Sequence, residues 1–162
     1  MDAVTYPDDA VAQELDAHFH ALKVNLFERH PDFKEIASAA KVTWSPTFIL
    51  ADDRGREVRR WTGWMEPRSF IAELRLARAQ HAIQSGRFDD ALAITAALLE
   101  DRDDIPCIPE ALYHHGIAGF LGGGKDWTAL RAAWGELTST YPNDRFGRHA
   151  AVIEDAPGAE ER

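Results

Sequence analysis

Apolar positions recur along the chain with two alternating periods, and these predict its elements. Pro7-Asp8-Asp9 opens a first helix, with Pro near the first turn and carboxylates at the positive end of the helix dipole. Val11, Leu15 and Phe19 follow at helical spacing and form one stripe. In Ala21–Leu26 the residues Leu22, Val24 and Leu26 alternate at period two, which predicts a strand. Pro31-Asp32 then starts a short helix that uses Phe33, Ile36, Ala37 and Ala40. Two short apolar runs, Thr47–Ala51 and Glu57–Trp61, flank Asp52-Asp53-Arg54-Gly55 and predict a hairpin, with Gly55 supplying the positive φ of a tight turn. Ser45-Pro46 stands at the entry of the first strand, where a missing N–H costs no ladder bond; Ser-Pro alone leaves the peptide isomer open. Pro67 begins a long helix through Phe70, Ile71, Leu74 and Ala77 to about Gln84.

Beyond Gln84 the pattern is helical throughout. Ser85-Gly86 interrupts it, Arg87-Phe88 restarts it through about Glu100, and Asp101–Pro109 is an Asp- and Pro-rich loop. Further helices are expected over Glu110–Leu121, Trp127–Tyr141 and Asp144–Ile153, with a frayed tail over Glu154–Arg162.

Two resemblances attach to these residues. The set Val42, Ser45-Pro46-Thr47-Phe48, Asp53, Gly55, Glu57, Arg60, Gly63 and Phe70 resembles the C-terminal half of a thioredoxin-fold protein, over roughly Thr5 to Leu76. That resemblance implies a cis proline before the strand, a glycine that ends the last strand and a long helix after it. It also implies that the residues just before the proline, here Trp44 and Ser45, face a bound partner. Redox members carry Cys-x-x-Cys upstream of this region. This chain has one cysteine, Cys107, far downstream, so the chain as given cannot perform intramolecular dithiol–disulfide chemistry. The central strand of the resembled fold has no counterpart here. Either the strands at 21–26 and 47–51 pair directly, or another chain completes the sheet, or the reading frame starts upstream. An unpaired edge needs covering, which raises the expectation of a homodimer. The second half resembles tetratricopeptide-type repeats through Gly86-Arg87-Phe88-x-x-Ala91-Leu92, Pro109-Glu110-Ala111-Leu112-Tyr113-x-x-Gly116 and Tyr141-Pro142-Asn143-Asp144. The expected fold is therefore α/β plus α: a partial thioredoxin-like sheet of about three strands over 1–84, a tetratricopeptide-like helical region over 85–153, and a flexible tail over 154–162.

Charge narrows the partners. The net charge is −9, with −2 in residues 1–80 and −7 in residues 81–162. An acidic surface repels phosphate backbones, so nucleic acid is not an expected partner. No apolar run reaches membrane-spanning length and the N-terminus lacks a basic, then apolar, leader, so neither membrane nor export is expected. A lone cysteine fits a reducing compartment, and the cytoplasm is the expected location.

The candidate chemistries are few. Gly119–Asp126 nearly spells a phosphate loop, but Asp126 stands where a hydroxyl would bind magnesium and a helix precedes it; a helix end at Gly122–Gly124 with Asp126 capping the next helix is the plainer reading. His18 and His20 straddle a helix end, and His114-His115 point to different faces, so neither pair has the spacing of a helical zinc site. Cys107 lies near Asp101, Asp103 and Asp104, which disfavour a thiolate, and reads as structural. Arg54, Arg56, Arg59 and Arg60 with Trp61 and Trp64 form a basic-aromatic cluster, whose arginines can pair with Asp52, Asp53 and Glu57 or serve as anchors. Trp44 either faces a partner or fills the place of the absent strand. No catalytic residue, metal or cofactor is expected. The expected function is a non-catalytic interaction or scaffold module that binds a protein through Trp44, Ser45, Pro46, Thr47 and Trp64. The alternative is a thiol-disulfide oxidoreductase whose Cys-x-x-Cys lies upstream of Met1.

Overall fold

The computed structural model describes residues 1–25 and 33–155. In chain order these form α1 (Asp9–His18), α2 (Phe33–Ala39), β1 (Thr47–Ala51), β2 (Glu57–Thr62), α3 (Pro67–Gln84), α4 (Phe88–Glu100), α5 (Ile108–Gly122), α6 (Trp127–Thr140), α7 (Arg145–Ala150) and a closing 3-10 turn, Ala151–Asp155. The architecture is mostly helical with one small antiparallel sheet, an α/β plus α arrangement in broad terms. Two compact units, Met1–Ile71 and Ala72–Arg162, divide within α3.

The first unit is organised around the hairpin. β1 pairs with β2 in the register Thr47↔Thr62, Phe48↔Trp61, Ile49↔Arg60 and Leu50↔Arg59, with a bulge between Leu50 and Ala51. Gly55 has φ +74°, and its N–H donates to the Asp52 carbonyl (2.9 Å). The Asp52 carboxylate accepts from the N–H groups of Arg54 and Arg56, so a side chain holds the loop closed. The register puts Phe48 beside Trp61, with rings stacked at 5.1 Å, and Phe70 from the first turns of α3 meets both edge-on, at 5.0 and 5.8 Å. Tyr6 packs on Phe70 from the N-terminal segment (6.2 Å), and the fully buried Thr5 hydroxyl donates to the Met65 carbonyl (2.6 Å). α1 starts where expected, since Asp8 accepts from the N–H groups of Ala10 and Val11, and it buries Val11.

One expected strand is not there. Residues 21–25 have no regular structure, Leu22 is 78% exposed, and the sheet has two strands among the described residues rather than three. Alternation marks a strand only where an edge receives it and one face is covered. Here Lys23 instead pairs with Asp2 (2.6 Å) and lies over the Tyr6 ring, 5.6 Å from its centroid. Leu26 and the expected helix start at Pro31-Asp32 lie outside the described residues, as does the tail from residue 156 onward. Glu154 and Asp155 belong to the 3-10 turn, so the expected fraying does not begin at Glu154.

The second unit is helical, and its boundaries follow the punctuation of the sequence. Gly86 has φ +72° between α3 and α4. Gly123 closes α5 with its N–H on the Gly119 carbonyl, and the Asp126 carboxylate caps α6 through the Thr128 N–H and hydroxyl. The near-phosphate-loop is thus a helix-to-helix turn. One core joins Ala72, Leu76, Leu98, Ile105, Cys107, Ile108 and Ala111, and another joins Leu112, Leu130, Ala133, Trp134, Leu137, Ala150 and Ile153. Gly116 lets α6 approach α5: a Cβ there would stand 2.8 Å from the Trp134 ring, which stacks on Tyr113 at 4.6 Å while its N–H donates to the Tyr113 carbonyl. Cys107 is buried in this core, as a structural thiol would be.

Polar contacts between helices were not foreseen from the sequence. The hydroxyl of buried Thr95 in α4 lies 2.8 Å from Nδ1 of His115 in α5. Burial pushes the His115 pKa down, and the Glu136 carboxylate opposes this only in part. The folded chain therefore takes up the His115 proton at lower pH than the unfolded chain does. The contribution is complete above the ordinary histidine pKa of about 6.5 and is lost as pH falls from there towards the folded value. Urea midpoints at pH 7.5 and pH 5.5 are expected to fall less for His115→Gln than for the wild type. Equal falls in the two proteins would rule this out.

Candidate functional site

The five residues singled out from sequence come together at the open end of the hairpin. The Ser45–Pro46 peptide bond is cis. The Pro46 carbonyl accepts from the Gly63 N–H (2.9 Å), which extends the β1–β2 pairing one step past Thr47 and Thr62. The Thr47 hydroxyl donates to the Trp44 carbonyl (2.6 Å), so the turn at residues 44–47 is tied to the strand it leads into. Gly63, at φ +100°, bends the chain away from β2 and delivers Trp64 at this same end. The two strands leave the pleat here, and neither indole follows the ladder inward. Trp44 is 71% exposed and Trp64 is 58% exposed, while Trp61, three residues before Trp64 and the cross-strand partner of Phe48, faces the core. Trp44 thus does not fill the place of an absent strand.

This end is anchored from behind. Phe48, Trp61 and Phe70 form the packed floor, and Met65, next to Trp64, is held by Thr5. α3 begins one residue later with Glu66 as its cap, accepting from the N–H groups of Arg68 and Ser69. Burial pushes the Glu66 carboxyl up, but hydrogen bonds from Ser69 and Arg68 and the Arg68 charge outweigh it and hold the pKa below the usual value. Glu66 is therefore an anion at neutral pH, committed to the helix start.

Two arginines of the basic cluster are paired within the chain. Arg56 pairs with Asp52 (2.6 Å), and Arg60 pairs with Glu57 (2.6 Å) and reaches the Ala40 carbonyl. The arginine–carboxylate reading thus holds for Arg56 and Arg60, and Arg59 lies on the Trp61 side of the sheet through its partner Leu50. The Trp61 indole nitrogen is buried and has no hydrogen-bond acceptor among the described residues, a feature that alternation placed inward without revealing the missing acceptor. On α5, His114 and His115 turn to different neighbours. His114 lies by Glu110 (3.7 Å) and Gln80 (3.0 Å), and His115 lies by Thr95. Among the described residues no cluster of three or more His, Cys, Asp or Glu is placed to hold a metal ion, and no helix is long and apolar enough to cross a membrane.

A ridge carrying two solvent-facing indoles can contribute contact area. A tryptophan covers on the order of 200 Å² when buried and loses little side-chain entropy in doing so, which is why it dominates binding surfaces. Neither a protein-family model nor a curated protein nor a solved structure matches this chain.

Proposed function

We propose that the chain is a non-catalytic protein-interaction module, thioredoxin-like in its first unit and tetratricopeptide-like in its second. It engages a protein partner through Trp44, Ser45, Pro46, Thr47 and Trp64. The observation that carries this reading is the exposure of both indoles at one end of a hairpin whose interior aromatics are packed. In water each exposed indole is a standing cost that a partner removes, at about 25 cal/mol per Å² of apolar surface covered. The ridge is fixed by the Pro46–Gly63 bond and the Thr47–Trp44 bond, so binding orders little backbone. What supports the thioredoxin-like half is the strand entry at Ser45-Pro46, the glycine that ends β2 and the long α3 after it. What supports the tetratricopeptide-like half is the run of helices that break at Gly86, before Pro109 and at Pro142.

The test is a random peptide library selected on the full chain, with each bound peptide then measured against Trp44→Ala and Trp64→Ala. Both variants are expected to unfold within about 0.5 kcal/mol of the wild type, as surface changes do. Each is expected to weaken selected peptides at least tenfold, about 1.4 kcal/mol. Peptides that bind both variants as tightly as the wild type, or a library that yields no binder, would overturn the proposal.

A further inference from the structure

The hairpin leaves one row of backbone groups of β1 turned away from β2, and the pairing identifies it. The Gly63 N–H on the Pro46 carbonyl makes Pro46 and Gly63 a hydrogen-bonded pair, and the register runs on through Thr47↔Thr62 to Leu50↔Arg59. In antiparallel sheets such pairs alternate with non-bonded ones. Phe48 and Leu50 therefore bond to β2, and the N–H and C=O of Thr47 and Ile49 point the other way. Past the bulge the Asp52 N–H donates to the Arg56 carbonyl, which places Ala51 in the outward row as well. Outside the β1–β2 ladder, no backbone group among the described residues takes up this row.

The two edges of this sheet differ in chemistry. β2 carries Glu57, Arg59 and Arg60, charges of the kind that discourage strand addition. From Trp44 to Ala51 the chain carries no charged residue. We propose that the β1 edges of two copies of this chain pair antiparallel about Ile49 and join two hairpins into one four-stranded sheet. In that register Ile49 meets Ile49 of the second copy and Thr47 meets Ala51 of the second copy, all in the outward row, so each N–H finds a C=O. Phe48 falls opposite Leu50 of the second copy, an apolar cross-strand pair.

A second copy suits this edge because the strand is complementary to its own two-fold image. The first charges past β1, Asp52 and Asp53, come opposite the neutral Pro46 and Ser45 of the second copy rather than opposite each other. Asp52 is in any case paired with Arg56. The contact is isologous and closes at two chains, so it consumes both copies of the edge and does not propagate. It uses the outward backbone row rather than the two exposed indoles, and the Trp44→Ala, Trp64→Ala double variant is expected to keep it.

The experiment is sedimentation equilibrium on the full chain across a dilution series from about 1 mM to about 1 μM, with residue-resolved amide exchange at both ends. The expected result is a dimer at high concentration that dissociates on dilution. The amides of Thr47, Ile49 and Ala51 are expected to exchange at least tenfold faster in the dilute sample. Ile49→Pro removes an outward N–H without touching the ladder to β2 and is expected to give a monomer with wild-type circular dichroism. Should that variant not fold, exchange in the wild type decides alone. A chain that is monomeric throughout, whether its outward amides are unprotected or are protected by another segment, would overturn the inference. So would a dimer with Thr47 and Ile49 unprotected at high concentration.

Discussion

Replacing Phe70 with Ala is expected to cost about 4 kcal/mol of unfolding free energy, the range for deleting a buried aromatic from a packed core. Phe70 is 3% exposed and its ring touches those of Tyr6, Phe48 and Trp61. Those three arrive from the N-terminal segment, β1 and β2, so one side chain holds together every described part of this aromatic floor. The lost ring contacts add to the lost transfer energy, because edge-on and stacked aromatic pairs each contribute about 1 kcal/mol beyond their area. None of the neighbours can collapse into the space without giving up a partner: Phe48 and Trp61 are fixed by their register, and Tyr6 follows the tied-down Thr5. Urea unfolding followed by tryptophan fluorescence measures the loss. A cost below about 1 kcal/mol would mean that the floor repacks and that the ridge above it is not rigid. Phe70→Leu, which keeps most of the volume, is expected to lose about half as much.

The helices were legible because they are punctuated by residues with one strong backbone preference. Pro67 opens α3, Gly86 separates α3 from α4, Pro109 falls at the start of α5, and Asp126 caps α6, each a local constraint that no tertiary contact overrides. The hairpin was legible for the same reason, through Asp52 and Gly55. The segment at 21–25 was not. Leu22 and Val24 satisfy a period, but a period states only which side chains could share a face, and among the described residues no neighbouring strand accepts that face. The site divides along the same line. That Trp44, Ser45, Pro46 and Thr47 adjoin one another is a matter of sequence, and Trp64 joins them because a hairpin returns its second strand to the start of its first. Which indoles face water is a matter of packing. Trp61 and Trp64 are three residues apart on the same side of the same turn, and only the Phe48↔Trp61 pairing separates a core residue from an exposed one. The Thr95–His115 contact had no sequence signal, since it depends on the rotation of α4 against α5.

Gly147→Ala is the substitution where the smallest added group is expected to do the most damage. Gly147 is buried in α7, in an ordinary helical conformation, so alanine would be the better helix former on propensity alone, by about 1 kcal/mol. Packing reverses that sign. A methyl group at this position would collide with the Tyr141 carbonyl and approach the Pro142 Cα to 3.5 Å. Both obstacles are backbone, and neither can rotate aside as a side chain would. Tyr141 cannot retreat cheaply either: its N–H is bonded to the Leu137 carbonyl, its carbonyl accepts from Asp144, and its ring packs against two cores. The Asp144 N–H and the Asp144 cap on Phe146 define the start of α7, so moving Tyr141 loosens the helix that carries the substitution. The net loss is expected to be about 3 kcal/mol, the upper part of the usual range for overpacking. Gly135 supplies the internal control. It lies in α6 with open space where its Cβ would be, and Gly135→Ala is expected to stabilise the chain by about 0.5–1 kcal/mol through helix propensity and a less flexible unfolded state. Thermal or urea unfolding of the two variants side by side should therefore move the midpoint in opposite directions. A neutral Gly147→Ala would show that α7 is free to shift away from the Tyr141 turn.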